Sequence, residues 1–152
     1  MRVSAKADYA VRAAVELAAG HGAGPTKGEQ IASAQQIPLN FLENILSDLR
    51  HAGLVSSQRG PDGGYWLRRD PDEVTVADVI RAVEGPLATV RGEPPEELGY
   101  QGAAAPLQRV WIALRTNLRG VLEEVTLADL AAGRLPAAVE GLAREPDSWF
   151  TR

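Results

Sequence analysis

Cysteine is absent from the 152-residue chain, and histidine occurs only twice, at His21 and His51. The missing thiols exclude disulfides, thiolate nucleophiles and cysteine-ligated metal centres, and two histidines are too few for a histidine-rich metal site. No nucleophile is paired with a base in the sequence. We therefore expect a protein that is not an enzyme and that carries no metal or cofactor.

Long apolar runs are also missing. No stretch approaches the roughly 18 apolar residues that a membrane span needs, and the N-terminus lacks the apolar segment of a signal peptide. These absences predict a soluble cytoplasmic protein without a membrane partner. Hydrophobic residues make up 45% and charged residues 24% of the chain, which suits one globular domain, or one small domain with an appendage.

The net charge of -4 and the isoelectric point near 5.2 are unusual for a nucleic-acid binder, whose domains often have a pI above about 9. The acidic residues are unevenly distributed, however. Residues 1–70 hold eight basic and seven acidic side chains, whereas residues 71–152 hold eight basic and thirteen acidic ones. The acidic character therefore belongs to the C-terminal half, and the N-terminal half remains suited to DNA.

The first part of the chain has the pattern of three helices. Apolar residues repeat at helical spacing over residues 4–20, and Thr26 with Glu29 has the spacing of a capping box before a short helix to Gln35. A third helix begins at Pro38 and ends at Gly53, which suits a left-handed cap. Its apolar stripe consists of Leu39, Leu42, Leu46 and Leu49. Two helices joined by a turn at residues 36–37 predict a helix-turn-helix.

A hairpin follows the third helix directly. Leu54 and Val55 begin a strand, residues 60–64 form a tight Gly-Pro-Asp-Gly-Gly loop, and residues 65–67 return as the partner strand. A hairpin in this position is a wing. Thr75 then caps a helix over residues 76–84, which Gly85 closes.

The C-terminal half is predicted to contain a long loop, a long helix and a tail. Residues 86–105 show no sustained apolar period and predict the loop. From Pro106 onward, apolar residues recur with the spacing of a coiled-coil seam, at Leu107, Trp111, Leu114, Leu118, Val121 and Val125. This seam either forms a dimer or packs against the chain's own N-terminal domain. Dimerisation is favoured, because the small core of that domain can hardly cover so long an apolar stripe.

These patterns predict a mainly α fold with a small β-wing. The winged helix-turn-helix domain covers residues 1–85, and the loop covers residues 86–105. Residues 106–132 form the dimerisation helix and a short following helix, which Thr126 and Asp129 cap. The tail covers residues 133–152. The tail carries a weakly amphipathic segment, residues 135–143, and two aromatic residues, Trp149 and Phe150.

The third helix is the candidate recognition helix. A helix in the major groove presents the side chains of its N-terminal part to the bases, here Asn40, Glu43, Asn44 and Ser47. Asn can bond adenine bidentately, and Glu can accept a hydrogen bond from cytosine. Each of these residues could equally be an ordinary solvated surface position. Phe41 is suited either to a thymine methyl group or, preferentially, to the core.

In the wing, Arg59 stands beside Gly60. An arginine at a loop tip can enter a narrow minor groove, where the negative potential is enhanced, although the same residues also suit a plain hairpin turn. Further basic residues are candidate phosphate contacts that rank below Arg59, and scattered positive charge is usually only solvated surface. They are Arg2, Lys6, Lys27, Arg50 and Arg68.

Several segments together resemble the Rrf-two type of bacterial transcription regulator, which includes IscR-, NsrR- and CymR-like proteins. They are Met1-Arg2-Val3-Ser4-Ala5-Lys6-Ala7-Asp8-Tyr9-Ala10, Ile37 to Glu43, Leu54 to Ser57, Arg59-Gly60-Pro61-Asp62-Gly63-Gly64-Tyr65, Val79 to Gly85 and Val125 to Leu130. The resemblance spans roughly residues 1–132. It implies a homodimeric winged-helix repressor or activator, with Arg59 in the minor groove and with Asn40 and Glu43 setting sequence preference.

The chain departs from this resemblance at one point. Many members of the family bind an iron–sulfur cluster through three cysteines in the loop before the dimerisation helix, and the helix-proximal position here is alanine, assigned to Ala105. The cluster is not expected. Glu93, Glu96 and Glu97 offer oxygen ligands, but three glutamates without His or Cys are more typical of a solvated acidic loop.

The sequence therefore predicts a DNA-binding transcriptional regulator, preferentially a repressor, that binds a pseudo-palindromic operator as a homodimer. The alternative is a winged-helix module that binds another protein through the acidic loop and the Trp149-Phe150 tail. An effector, either a small molecule or a protein, is expected to act on residues 86–105 and the interdomain surface.

Overall fold

The computed structural model describes all residues from 1 to 152 as seven α-helices, one two-stranded sheet and four short 3-10 turns. The predicted class, mainly α with a small β-wing, is confirmed. The elements in chain order are α1 (Ala5–Ala19), α2 (Gly28–Gln35), α3 (Leu39–His51), β1 (Val55–Gln58), β2 (Gly64–Leu67), α4 (Val76–Glu84), α5 (Leu107–Leu122), α6 (Leu127–Ala132) and α7 (Ala137–Arg144).

Helix α1 is the central element of the N-terminal domain, because α2, α3, α4, α6 and β2 all contact it. The Ser4 side chain caps it by accepting a hydrogen bond from the Ala7 N–H at 3.0 Å. Its buried face is made mostly of alanine, at Ala7, Ala10, Ala13, Ala14 and Ala18, with Leu17. Such small side chains let the neighbouring helices approach closely.

The second helix begins one residue later than the predicted capping box requires. Lys27 is the residue before α2, and its N–H donates to the Gln30 side chain at 3.2 Å. Thr26 is instead paired with Tyr65 of β2 through two backbone hydrogen bonds of 2.8 Å each. The prediction that Thr26 and Glu29 cap this helix is therefore wrong, because the Thr26 backbone extends the sheet.

Helix α3 starts at Leu39, so Pro38 precedes the helix rather than occupying its first turn. The turn before it passes through Gln36 in the left-handed region, at φ 53°. Gly53 ends the helix at φ 80°, as predicted, and the Leu54 N–H donates to the Leu49 carbonyl at 3.0 Å. The buried stripe is Leu42, Ile45, Leu46 and Leu49, whereas Leu39 remains exposed.

The wing is an antiparallel pair in which Val55 faces Leu67 and Gln58 faces Gly64. Val55 and Leu67 anchor it, because both are buried in the core that α1 and α3 share. The strands are thus fixed at the end nearest the helices, while the loop at residues 59–63 projects away.

After α5 the chain returns to the N-terminal domain. The Val125 carbonyl accepts a hydrogen bond from Val76 N–H, and the Val74 carbonyl accepts one from Leu127 N–H, each at 2.9 Å. Val125 therefore lies outside α5 and is buried within its own subunit, so its assignment to the dimerisation seam is corrected. Thr126 and Asp129 cap α6 reciprocally at 3.0 Å, as predicted.

Helix α5 packs less tightly than the other long helices. None of its residues is fully buried, and the seam residues Leu107, Trp111, Leu114, Leu118 and Val121 are half-buried. The 86–105 loop lies against it: Trp111 Nε1 donates to the Tyr100 hydroxyl at 3.0 Å, and Leu87 and Leu98 are buried. None of the helices is both long enough and apolar enough to span a membrane.

Helix α6 follows the predicted dimerisation helix but packs against α1, and its first residue, Leu127, belongs to the core of the N-terminal domain. Its side chain is 0% exposed. We expect Leu127→Ala to lower the free energy of unfolding by about 2–5 kcal/mol, because the substitution removes buried methyl groups and leaves a cavity. Urea denaturation followed by circular dichroism measures this change.

Leu142→Ala in α7 is the matched control, since Leu142 is 58% exposed and its truncation should change stability by less than about 0.5 kcal/mol. Equal effects of the two substitutions would show that α6 does not belong to the core.

Candidate nucleic-acid interface

The candidate recognition helix turns its polar residues to solvent. Asn40, Glu43 and Asn44 are exposed on α3, opposite the buried leucine stripe, and Ser47 is half-buried one turn further on. The spacing of 3 and 4 places them along one side of the helix. This side is free to enter a groove of DNA without disturbing the core.

Phe41 does not lie in the core, contrary to the preferred prediction. Its side chain is 57% exposed, an uncommon state for a large aromatic residue on a helix that has a well-filled buried face. It borders an apolar cleft of about 320 Å³ between α1 and α3, which Ala5, Tyr9 and Ile45 also line. An apolar side chain exposed on the recognition face remains available to a thymine methyl group.

The wing loop has a backbone that only glycine permits at two positions. A Cβ at position 63 would lie 2.1 Å from the Gln58 carbonyl oxygen, and one at position 64 would lie 2.6 Å from that of Thr26. Gly60 adopts φ 106°. The loop is therefore closely folded, and Arg59 projects from it into solvent without an ion-pair partner.

A groove of about 380 Å³ separates the recognition helix from the wing. It brings together five of the predicted residues, Lys27, Glu43, Arg50, Arg59 and Gly60. Arg50 donates to the Ser57 hydroxyl of β1 at 3.3 Å, which links the end of α3 to the wing. The start of α2, with Lys27 and Gly28, forms the third wall.

Three predicted phosphate contacts lie elsewhere. Arg68 is exposed just after β2 and does not line the groove. Lys6 Nζ forms a 2.8 Å ion pair with Asp48 of α3, so its charge is partly neutralised. Arg2 borders a separate cavity with Glu84 at the end of α4. Ser57 and Gln58 line the groove and were not among the predicted site residues, because small polar side chains on a short strand carry no distinctive sequence signal.

The helix-turn-helix is held to α1 by a polar network. Arg12 of α1 donates to the Gln35 carbonyl at 2.6 Å and pairs with Asp8 at 2.9 Å. The Gln35 side chain donates in turn to Glu16 at 2.6 Å. Both ends of Gln35 are thus bound to α1, which fixes the end of α2 just before the turn into the recognition helix.

The cavity that Arg2 borders has a volume of about 440 Å³ and lies where the N-terminal domain meets α5. The start of α1, the end of α4 and α5 surround it. Its walls are mainly apolar and include Ile80, Leu87, Leu118 and Leu122, with Arg2 and Glu84 as the charged members. An occupant of this cavity would contact both the N-terminal helices and α5.

Comparison with known proteins extends over nearly the whole chain. The family described as Rrf2, iron-dependent transcriptional regulator, matches residues 3–133. Rv1287 of Mycobacterium tuberculosis, named as an HTH-type transcriptional regulator, is 50% identical over 143 residues, which are 94% of this chain and 89% of that protein. CymR of Bacillus subtilis, an HTH-type transcriptional regulator, is 41% identical over 133 residues, covering 87% of this chain and 91% of CymR.

Solved structures agree with these sequence relatives. The structure of CymR, described as the global cysteine regulator of B. subtilis, superposes with a TM-score of 0.73 at 38% identity, over 88% of this chain and 98% of CymR. The T. potens IscR structure superposes with a TM-score of 0.70 at 31% identity, over 100% of this chain and 93% of that one.

The iron dependence in the family description does not fit the residues of this chain. The 86–105 loop offers carboxylates and no thiolate. Glu96 forms an ion pair with Arg115 at 2.5 Å. The pKa of Glu96 lies below its usual value, mainly because its carboxylate accepts a hydrogen bond from its own backbone and, second, because it accepts one from Arg115. The ion pair fastens the loop to α5, so this carboxylate has a structural partner of its own.

Proposed function

Because the chain belongs to the Rrf2 family of transcriptional regulators, we propose that it reads its operator through both walls of the groove between α3 and the wing. It is a DNA-binding regulator, as its relatives are, and not an enzyme. In the proposed complex α3 occupies the major groove and the wing loop the adjacent minor groove.

We assign the base contacts to the exposed side of α3. Asn40 and Asn44 have the donor and acceptor pattern for adenine, Glu43 accepts from cytosine, and Phe41 meets a thymine methyl group. Ser47 lies one turn further along the same side. We assign phosphate contacts to Arg50, Gly60, Lys6 and Arg2. Lys6 and Arg2 are the weakest of these assignments, because Lys6 is paired with Asp48 and Arg2 borders the cavity beside α5.

The observation that carries this proposal is the state of Arg59. Its side chain is exposed at the tip of a closely folded loop, has no carboxylate partner, and borders the same groove as Glu43. The closely folded loop fixes the backbone at Arg59, and the exposed side chain has no ion pair to break before it binds. It therefore suits insertion into a narrow minor groove.

We expect Arg59→Ala to weaken binding by about 1–3 kcal/mol, on the order of 5- to 150-fold, because the minor-groove contact is lost. Fluorescence anisotropy measures this with a duplex that the protein itself selects from a random library, compared with a scrambled duplex of equal composition. Arg144→Ala, a change of another exposed arginine on α7, is the control and should leave both affinities unchanged. Equal affinity of the unaltered protein for the two duplexes would contradict sequence-specific binding.

We propose further that two copies assemble through α5. The half-buried seam residues Leu107, Trp111, Leu114, Leu118 and Val121 support this, since a stripe of this kind on a 16-residue helix retains apolar area to bury. A two-fold dimer would place two α3 helices about one DNA turn apart, on a pseudo-palindromic operator. We propose repression as the direction of regulation.

Val121→Arg is expected to shift the protein from twice 16.2 kDa to 16.2 kDa in light scattering, because it places a charge in the proposed apolar seam. Thr116→Arg, on the opposite, exposed side of α5, should leave the mass of the assembly unchanged. A monomeric unaltered protein, or a dimer that survives Val121→Arg with the same dissociation constant, would rule out this interface.

We propose that the effector, a small molecule or a protein, acts at the cavity between α1, α4 and α5. The cavity adjoins residues 87–89 of the loop and Leu118 of the proposed dimerisation helix, so an occupant would contact both parts of the regulator. Its mainly apolar walls suit a small molecule with an apolar body.

Filling this cavity is expected to abolish a ligand response without abolishing DNA binding. A ligand at 100 times its Kd stabilises a protein by about 2.7 kcal/mol, which a thermal-shift screen of small metabolites can detect. Thr89→Trp should remove the shift, since Thr89 lines the cavity, whereas Thr116→Trp should retain it. Ligands whose shift survives Thr89→Trp would place the effector site elsewhere.

A further inference from the structure

The wing is attached to the start of α2 as well as to the core. Thr26 forms two backbone hydrogen bonds of 2.8 Å with Tyr65, and Gly64 packs so closely on Thr26 that no Cβ could be placed there. Immediately after Thr26, the Lys27 ammonium group donates to the Gly60 carbonyl at 2.9 Å. These contacts join α2, at the base of the recognition unit, to the strand and the loop tip of the wing.

The root of the Lys27 side chain is fixed by α2. Its carbonyl accepts hydrogen bonds from Gln30 N–H at 3.1 Å and Ile31 N–H at 3.2 Å, and its own N–H donates to the Gln30 side chain at 3.2 Å. The backbone of Lys27 thus moves with the helix-turn-helix. The hydrogen bond from its side chain to the Gly60 carbonyl therefore ties the wing loop to the helix-turn-helix across the groove.

Lys27 makes the one hydrogen bond that the loop tip, residues 59–63, receives from outside the wing. A Cβ placed on Gly60 would meet no atom within 4 Å, so this side of the loop faces open space. Within the loop, the Gly63 N–H donates to the Gly60 carbonyl at 3.0 Å. The same carbonyl therefore accepts both the turn hydrogen bond and the one from Lys27, directly beside Arg59.

We propose that Lys27 is a positioning residue for Arg59. By holding the Gly60 carbonyl, it fixes the distance between the wing tip and the helix-turn-helix, so that Arg59 meets the minor groove while α3 lies in the major groove. This inference rests on the proposed function, since it requires that Arg59 bind DNA. The competing role for Lys27, which is half-buried at the edge of the groove, is a direct phosphate contact that would act independently of Arg59.

A double-mutant cycle separates the two roles. Lys27→Met retains the length of the side chain and removes its donors. With the duplex that the protein selects, we expect Lys27→Met to weaken binding by about 5- to 20-fold in the unaltered protein and by less than about 2-fold in the Arg59→Ala background. Lys6→Met is the matched comparison, because it removes the same charge from a lysine that touches α3 and not the wing. Its effect should be the same in both backgrounds.

A duplex with a modified minor groove gives a second measurement, an affinity penalty that loss of a positive charge alone would not change. Replacing adenine by 2,6-diaminopurine adds an amino group to the minor groove and leaves the major-groove edge unchanged. The unaltered protein should bind this duplex about 10-fold more weakly, as expected when an arginine is obstructed in the minor groove. Lys27→Met should lower this penalty toward that of Arg59→Ala, whereas Lys6→Met should retain it in full.

The outcomes distinguish the inference from the function on which it rests. If Arg59→Ala weakens binding but Lys27→Met acts equally in both backgrounds, keeps the diaminopurine penalty and lowers the salt slope by about one, Lys27 is a phosphate contact and the positioning role is overturned. If Arg59→Ala changes nothing, the proposed function of the wing fails, and the positioning role fails with it. Circular dichroism confirms that each variant is folded.

Discussion

The alanine face of α1 is the constraint on which the rest of the molecule depends. Ala10 and Ala13 are 0% exposed, and four other helices and one strand contact α1. Alanine allows backbones to approach closely, and close-packed interiors tolerate little change in volume. The elements that face DNA are therefore arranged around an axis that has almost no freedom to adjust, and polar contacts such as that of Arg12 with Gln35 add direction to the packing.

The two candidate DNA-reading elements, α3 and the wing, are anchored to the domain in different ways. Helix α3 is anchored by its leucine stripe in the core, whereas the wing is anchored at its base by Val55 and Leu67 and further out by backbone and lysine hydrogen bonds. Hydrophobic burial is not directional, but hydrogen bonds fix distance and angle. An element that must reach a minor groove a set distance from the major groove benefits more from the second kind of contact.

Most of the fold was predictable because its signals are local. Leucine spacing, Gly53 and the threonine caps at Thr75 and Thr126 each describe a few neighbouring residues. The structure confirms them except for Leu39, which is exposed, while Ile45 completes the buried stripe. The errors concern residues whose state depends on distant partners. Thr26 has a cap-like spacing but pairs with Tyr65, and Val125 continues the seam spacing but pairs with Val76. Phe41 resembles a core residue until the stripe of α3 is seen to be filled without it.

The candidate site was predictable in its residue types and not in its arrangement. Arg59 and the glycines around it stand out in the sequence, but the groove is completed by Ser57, Gln58 and the start of α2, which only the fold brings near. The same holds for the acidic C-terminal half. Its charge seemed to argue against DNA, yet part of it is used internally, where Glu96 fastens the loop to Arg115. In a relative of iron-dependent regulators without cysteine, that ion pair connects the loop to α5. Because the chain has no cysteine, thiolate ligation cannot carry a signal here, which is consistent with the effector site proposed at the α1, α4 and α5 junction.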